Sequence, residues 1–234
     1  MNTNRASAAV LAVCVTLAAC AAAPERACAT DIIVASAEVT TSYGHDYRVE
    51  TYYRSPKEAA ARFLNEAPAL LVVEGPFTWV SQGGSAEPGS ARERRFALGH
   101  QFQALLDRFD DIVTDVEPID HVLFDGRAAG GRKGHFPGGG TVTVVTDEAG
   151  HPAGLIMDLP DEKLMTIRYS DWRTDAEGHP LAYTVSLEQD GNRFDYRYND
   201  ITVGRGDQSD FERRYPAPDI AEIRDYRAAR PVCR

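Results

Sequence analysis

The sequence predicts an α+β domain in which a strongly curved antiparallel sheet, a half-open barrel, packs on two or three helices. Three observations predict this class. Apolar and polar side chains alternate through most of the second half of the chain, as is typical of half-buried strands. Turn sequences rich in Gly, Pro and Asp separate these runs at hairpin spacing. The helix-start signals lie mainly in the first half, so these helices are expected to cover one face of the sheet.

The first elements are predicted to be two strands, a short helix and two further strands. Residues 20–45 are assigned to a linker and a first strand, and side chains alternate over 46–54 as in a second strand. Ser55-Pro-Lys-Glu matches an N-cap serine, a proline at the first helical position and the glutamate of a capping box. This motif predicts a short helix that ends near Asn65. Two strands are then predicted at 70–73 and 77–80.

A long helix is predicted in the middle of the chain. Residues 83–89 are rich in glycine and are expected to form a loop. Ser90 and Glu93 provide a second capping-box pattern, and apolar residues at helical spacing continue to Ile112. Glycine disfavours a helix interior, so a start near Gly99 is the alternative.

The rest of the chain is predicted to be an antiparallel meander. Residues 126–140 are expected to form a glycine-rich loop. The alternation changes parity at Asn199 and Asp200, which indicates a β-bulge. A last short helix is predicted at 219–229. The predicted strands are 121–124, 141–146, 154–159, 163–173, 182–188 and 192–204.

The N-terminus has the pattern of a bacterial export signal. A positive start at Arg5 precedes an uncharged, alanine-rich apolar run that ends at Pro24. Leu17-Ala-Ala-Cys20 resembles the lipobox of bacterial lipoproteins, which implies a signal peptide at 1–19 and lipidation of Cys20. Cleavage after Ala29, at an ordinary small-x-small site, is the alternative. By the same resemblance, the destination is the periplasmic side of the outer membrane, with a soluble periplasmic or secreted protein as the alternative.

The cysteines favour the lipoprotein cleavage. Cleavage after Ala29 leaves Cys233 as a lone thiol in an oxidising compartment. Cleavage before Cys20 leaves Cys28 and Cys233 to form a disulfide between the two ends of the domain, which is assigned to residues 46–234 as a single unit. Contact with the membrane is then expected through the lipid anchor only.

Charge and motifs exclude several function classes. A formal net charge of −10 argues against nucleic-acid binding, which needs a basic face. The six histidines show no HxH or HExxH spacing and no cysteine partner, so no metal site and no other cofactor are predicted. His100 and His121 are the best candidates should a metal bind. Gly126–Lys133 departs from a phosphate-binding loop, because Arg132 replaces the lysine and no Ser or Thr follows.

No catalytic residue is assigned. The sequence contains no GxSxG elbow and no cysteine in a protease-like context. Asp107, Asp110 and Asp111 are expected on the wet face of the long helix. A hydrolase that uses His100 with Asp107 or Asp111 is the weakest of three functional hypotheses.

Large aromatic side chains fall at positions expected to face the sheet interior or to lie on the helix stripe. They are interpreted either as core or as the lining of an apolar cleft that binds an acyl chain. The lining residues proposed on this basis are Phe77, Trp79, Phe102, Phe109, Trp172 and Tyr196.

Residues 160–204 resemble the LolA/LolB-type lipoprotein carriers. The similarity is carried by Tyr169-Ser-Asp-Trp-Arg173, Gly178-His-Pro180, Asp190-Gly191 and Phe194-Asp-Tyr-Arg-Tyr198, in that order. It implies a half-open barrel and a non-enzymatic envelope lipoprotein that binds or carries a lipid or lipoprotein acyl chain. No individual lipid-contacting residue transfers, because that fold uses a general apolar lining. A structural or accessory protein that contacts other envelope proteins without a ligand is the alternative.

Overall fold

The computed structural model describes residues 30–147 and 151–230. Within them it contains thirteen strands and five helices. The strands are β1 (Thr30–Thr41), β2 (Tyr47–Ser55), β3 (Glu58–Leu64), β4 (Ala69–Glu74), β5 (Phe77–Gln82), β6 (Ser85–Pro88), β7 (Thr114–Phe124), β8 (Arg127–His135), β9 (Thr141–Thr146), β10 (Pro152–Asp158), β11 (Met165–Thr174), β12 (Pro180–Gln189) and β13 (Asn192–Gly206). The helices are α1 (Ala91–Gly99), α2 (Phe102–Asp107), α3 (Phe109–Ile112), α4 (Gln208–Arg214) and α5 (Ala221–Ala229).

All thirteen strands belong to one antiparallel sheet in the order β6-β5-β4-β3-β2-β1-β13-β12-β11-β10-β9-β8-β7. Strands β1 and β13 therefore meet in the middle, and β6 and β7 form the two edges. The chain passes from one edge to the other through α1, α2 and α3. The sheet curves around this helical segment, which confirms the predicted α+β class and half-open barrel.

Two apolar layers hold the sheet between helices. Successive side chains of β1 point to opposite layers: Ile33 belongs to the inner layer, and Ile32 packs against the outer layer. The inner layer gathers residues from most of the strands around Leu98, Phe102 and Phe109 of α1–α3. The outer layer is smaller and lies between the first half of the sheet and helices α4 and α5. Because β3 is covered on both faces, all its side chains from Glu58 to Ala61 are buried.

The predicted helix from Ser55 to Asn65 is wrong, because this segment is the strand β3. Ser55 pairs with Glu58 across a tight turn at Pro56–Lys57, and the Ser55 Oγ accepts from the Lys57 amide at 3.2 Å. The serine thus caps a turn. Short apolar runs fit a doubly buried strand as well as a helix, and here tertiary packing decides.

The glycine-rich loop predicted at 126–140 is also wrong over most of its length, because residues 127–135 form β8. Glycine is required there by close contacts between neighbouring strands. A Cβ on Gly131 would lie 2.2 Å from the carbonyl oxygen of Val144, and one on Gly134 would lie 2.5 Å from Val113.

The predicted long helix begins at the correct capping box of Ser90 and Glu93 but is broken into α1, α2 and α3. The break after Gly99 is stabilised by Gln101, whose Nε2 donates to the carbonyls of Ala60 at 2.9 Å and Ala97 at 3.0 Å. The predicted loop at 83–89 contains the short edge strand β6. Helix α4 was not predicted; it begins at a capping box formed by Asp207 and Asp210.

The later strands and the last helix are confirmed. The bulge predicted at Asn199 and Asp200 is present: Ser36 pairs with Asp200 and Ala37 with Tyr198, which leaves Asn199 as the extra residue. In the described part of the chain, each helix is too short or too polar to cross a bilayer.

Candidate functional site

An apolar cleft of about 100 Å³ lies between α1 and the far ends of β10–β13. Six large apolar or aromatic side chains of the sheet, one of α1 and one just after β10 line it. They are Tyr47, Phe96, Met157, Leu159, Met165, Leu187, Phe194 and Tyr196. Clefts of this composition hold apolar ligands by excluding water.

The floor and one wall of the cleft are aromatic. Tyr196 is almost completely buried, and its ring centroid lies 5.0 Å from that of Phe102 behind it. The hydroxyls of Tyr47 and Tyr196 share a hydrogen bond at 3.4 Å, which satisfies the polar ends of both rings. Burial raises the pKa of both phenols, so both stay neutral. The wall is therefore uncharged and apolar.

His100 closes the inner end of the cleft just after α1. Its ring lies 4.2 Å from that of Phe96 and 5.1 Å from that of Phe63. Burial among these rings lowers the pKa of His100 to about 4, and its Nδ1 donates to the carbonyl of Phe96 at 2.8 Å. His100 is thus a neutral, partly buried member of the aromatic wall at neutral pH.

Charged groups occupy the rim. Arg92 and Glu162 form an ion pair at 3.0 Å across the opening, and Gln189 lies 3.4 Å from the same carboxylate. Arg95 is buried and donates to the carbonyls of Gly138 at 2.8 Å and Pro160 at 3.3 Å. These bonds hold α1 against loops of the second half of the sheet.

Phe96 marks the opening. It lines the cleft yet remains 46% exposed, so it connects the apolar interior of the cleft with the surface. Tyr43, also half exposed, meets Phe194 edge to face with ring centroids 5.9 Å apart. The mouth of the cleft therefore presents aromatic surface to solvent.

The six lining residues predicted from sequence fall in different places. Tyr196 lines the cleft, Phe102 lies directly behind it, and Phe109 is buried in the inner layer. Phe77 and Trp79 belong to the outer layer under α4 and α5, because odd positions of β5 point outward.

Trp172 lies away from the cleft and is 41% exposed. The buried residues of the same strand are Ile167 and Tyr169, and Trp172 is out of step with them. Asp171, with a φ of 52°, interrupts the strand just before it.

Sequence reasoning missed most of the lining. Leu187 and Phe194 could have been found, since both fall on the inward parity of their strands. Phe96 could not, because its role depends on how α1 crosses the sheet. Met157 and Met165 gave no signal beyond strand alternation.

The residues named for the hydrolase and metal-site hypotheses lie in different surroundings. His100 contacts aromatic rings and a carbonyl, while Asp107 pairs with Arg108 at 3.4 Å and Asp111 lies near Tyr53. His121 lies on β7, in an open groove on the outer face. Over residues 30–147 and 151–230, no three His, Cys, Asp or Glu side chains are grouped as a metal site would require. Cys20, Cys28 and Cys233, with the signal peptide predicted at 1–19, lie outside the described residues.

No family model matches this chain, and neither does any curated protein. Solved structures do. A LolA superfamily protein from Nitrosomonas europaea superposes with a TM-score of 0.53 at 12% identity, over 80% of this chain and 91% of that one. A domain named for outer membrane lipoprotein sorting, from Vibrio parahaemolyticus, gives 0.50 at 11% identity, over 79% and 90%. The chain therefore has a LolA/LolB-like fold, as the resemblance of residues 160–204 implies.

Proposed function

We propose that this protein is an exported, non-enzymatic envelope protein that binds a lipid or lipoprotein acyl chain in the apolar cleft beneath α1. One observation carries the proposal: a continuous aromatic and aliphatic lining opens to solvent at Phe96, while the charges stay on the rim. Burial of an acyl chain there gains about 0.8 kcal/mol for each methylene removed from water. The shared fold supports the same class of ligand, since one relative is named for lipoprotein sorting.

The size of the cleft limits what enters it without rearrangement. At about 100 Å³ it is smaller than the several hundred Å³ typical of small-molecule sites, so it holds the end of a chain. A longer segment requires α1 to move outward. Met157 and Met165 help here, because methionine side chains repack easily.

The finer part of the proposal concerns location. We infer that Cys20 is lipidated and that the domain faces the periplasm from the outer membrane. The lipobox-like sequence supports this assignment, and so does the even number of cysteines, Cys28 and Cys233, that remains after cleavage before Cys20. Membrane contact then occurs through the anchor.

Displacement of a fluorescent fatty acid by palmitate tests the proposal. The wild-type protein is expected to bind the probe saturably at micromolar concentration. Gly99→Leu is expected to weaken binding at least about tenfold, because Gly99 lines the cleft and a Cβ there meets only Met157, at 3.5 Å.

Gly204→Leu is the matched control. Gly204 has no atom near its Cβ position and does not line the cleft, so the same substitution there leaves binding unchanged. The acyl-binding proposal fails if the wild type shows no saturable binding, or if both variants bind like it.

A second candidate function, contact with another envelope protein without a ligand, is favoured by a wide groove of about 1280 Å³ on the outer face. The groove lies beside the β7–β8 turn, where Phe124 folds onto Gly154 and Asp125 pairs with Arg168 at 2.6 Å. Its lining mixes both charges, as many protein contacts do. An absence of fatty-acid probe binding is compatible with this second function, whereas it contradicts the first.

A further inference from the structure

A second cleft, of about 470 Å³, lies at the opposite end of β1 from the acyl cleft. The β1–β2 ladder ends at Ile33 and Tyr53; beyond it β1 continues along β13 while the end of β2 turns towards β3. The strands fork, and Arg108 and Asp111 of the helical segment border the fork. The space is therefore built by strand divergence and framed by three elements.

Both signs of charge line this fork cleft. Arg54, Arg108 and Arg205 contribute guanidinium groups, and Asp31 and Asp111 contribute carboxylates. Arg54 forms an ion pair with Glu58 behind the cleft. A site with both signs on its walls suits a ligand that carries both signs itself, because each charged wall then keeps a partner.

The Arg108 guanidinium is held mainly by a backbone carbonyl, and its contacts with the carboxylates of Asp31 and Asp107 are long. The side chain of Arg108 is largely buried, and its NH1 donates to the carbonyl of Asp31 at 2.8 Å. Its NH2 lies 3.8 Å from the carboxylate of Asp31, whose side chain is 62% exposed. This separation exceeds a good hydrogen bond, so a ligand oxygen can compete for the guanidinium.

Tyr53 provides an independent indication of a ligand. It is 1% exposed and lines the cleft, yet its hydroxyl has no hydrogen-bond partner among residues 30–147 and 151–230. The Arg108 guanidinium lies 6.0 Å from the centre of its ring. Burial raises the pKa of Tyr53, which keeps the hydroxyl protonated as a donor. Buried hydroxyls are nearly always paired, so this one is suited to an oxygen acceptor from outside.

We propose that the fork cleft binds a zwitterionic phosphate–ammonium group of the phosphoethanolamine type. The phosphate lies on Arg108 and Arg205 with the Tyr53 hydroxyl donating to it, and the ammonium lies against Asp31 and Asp111. The same chemistry is presented by a phospholipid head group and by the free compound.

The position of the cleft relates to the proposed anchor, and this step rests on the proposed lipidation. Thr30 borders the cleft and follows Cys20 by a nine-residue segment, 21–29, which reaches about 30 Å when extended. A tether of this length allows the fork cleft to reach the head groups of the bilayer. Phe194, which pairs with Thr41 at the other end of β1, places the acyl cleft on the side away from the membrane.

Calorimetric titration of the mature full-length protein with O-phosphoethanolamine tests the site. Arg108→Gln, Arg205→Gln and Tyr53→Phe are each expected to weaken binding about tenfold, since each removes one contact to the phosphate. Arg213→Gln is the control, because Arg213 is an exposed, ion-paired arginine on α4 and is expected to bind as the wild type does. Tyr53→Phe is also expected to raise Tm, because it removes an unpaired buried hydroxyl, and this separates lost binding from lost folding.

Two further arms distinguish the outcomes. If inorganic phosphate binds as tightly as phosphoethanolamine, the proposal of a zwitterionic ligand is overturned. The absence of binding by both compounds overturns it as well. Sedimentation with phosphatidylethanolamine vesicles identifies the source: binding that requires Arg108 supports a head group, while binding of the free compound alone supports a soluble ligand. Palmitate displacement is unaffected by these variants, so failure here leaves the acyl cleft standing.

Discussion

Arg94 and Arg95 are neighbours on α1, yet their guanidinium groups attach the helix to opposite halves of the sheet. Arg94 donates to the carbonyls of Pro56, Gly75 and Phe77, in turns of the first half. Arg95 donates to carbonyls in loops of the second half, on the side where the acyl cleft opens. The attachment made by Arg95 lies on the side where a chain would enter, so we expect it to break first if α1 moves outward.

Arg95→Met is therefore expected to speed uptake of the fluorescent fatty acid several-fold and to lower the free energy of unfolding by about 2 kcal/mol. The physical reason is the loss of two charge-assisted bonds to loop carbonyls. Stopped-flow fluorescence and urea unfolding measure the two effects. Arg94→Met is the matched control and is expected to destabilise without faster uptake. Equal acceleration by both variants would contradict the assignment of Arg95 to the opening side.

Glu74→Ala is expected to lower the free energy of unfolding by about 3–5 kcal/mol in urea titration. The Glu74 carboxylate is completely buried and accepts from Arg227 at 2.6 and 2.7 Å and from Arg230 at 2.9 Å. Removing it leaves two buried guanidinium groups without their shared partner and loosens α5.

The exposed pair of Asp210 and Arg213 on α4 gives the comparison. Arg213→Ala is expected to cost less than about 1 kcal/mol, because solvent screens the pair. If Glu74→Ala were equally mild, α5 would be held by apolar contacts such as that of Ile223, and the ionic network would be incidental to the fold.

The second half of the fold could be predicted because its strands pair locally. Alternation and turn residues specify each hairpin from β9 to β13, and even the extra residue Asn199 shifts the parity visibly. In the first half, β2, β4 and β5 match the predicted strands, whereas β3 could not be predicted in the same way. In β3 the sequence Ala59-Ala-Ala is buried on both faces, so it carries no alternation and fits a helix equally well.

The cleft itself depended on information that a single sequence lacks. The clear alternation of β13 predicts that Tyr196 faces the interior. The sequence does not say which face of β5 points inward, so the layer in which Trp79 lies could not be predicted. Phe96 lines the cleft only because α1 ends at Gly99 and crosses the sheet there. Helix placement of this kind is set by tertiary contacts such as those of Arg94 and Gln101.

The cysteines make a prediction about processing. We propose that Cys20 is lipidated and that Cys28 pairs with Cys233; on that basis the mature protein is expected to show no free thiol before reduction and to incorporate a palmitate analogue. Cys28→Ser is expected to expose one thiol and to cost about 2–5 kcal/mol, since the closed loop is long. Thiol titration and metabolic labelling measure these outcomes.

The framework of the described residues supports that pairing. Thr30, two residues after Cys28, pairs with Gly206, just before α4. Arg230, three residues before Cys233, donates to Glu212 of α4 at 2.8 Å. Both cysteines thus adjoin segments that meet at α4. Label that persists in Cys20→Ala would refute the lipidated cysteine and favour cleavage after Ala29.

The last prediction concerns acid. Because the pKa of folded His100 is lowered to about 4, the unfolded chain binds a proton near pH 6.5 that the folded protein rejects. Stability contributed by neutral His100 is present above pH 6.5 and is lost progressively as the pH falls towards 4. Between pH 7 and pH 5 the free energy of unfolding is expected to fall by about 1–2 kcal/mol relative to His100→Phe, which keeps the ring packing but cannot titrate.

His179→Gln is the control of opposite sign. The hydrogen bond with Asp175 raises the pKa of His179, so the contribution of His179 to stability grows as the pH falls. Urea unfolding at both pH values decides the matter: parallel losses in the wild type and His100→Phe would mean that His100 is accessible to protons in the folded state, and the aromatic wall of the acyl cleft would then not be dry.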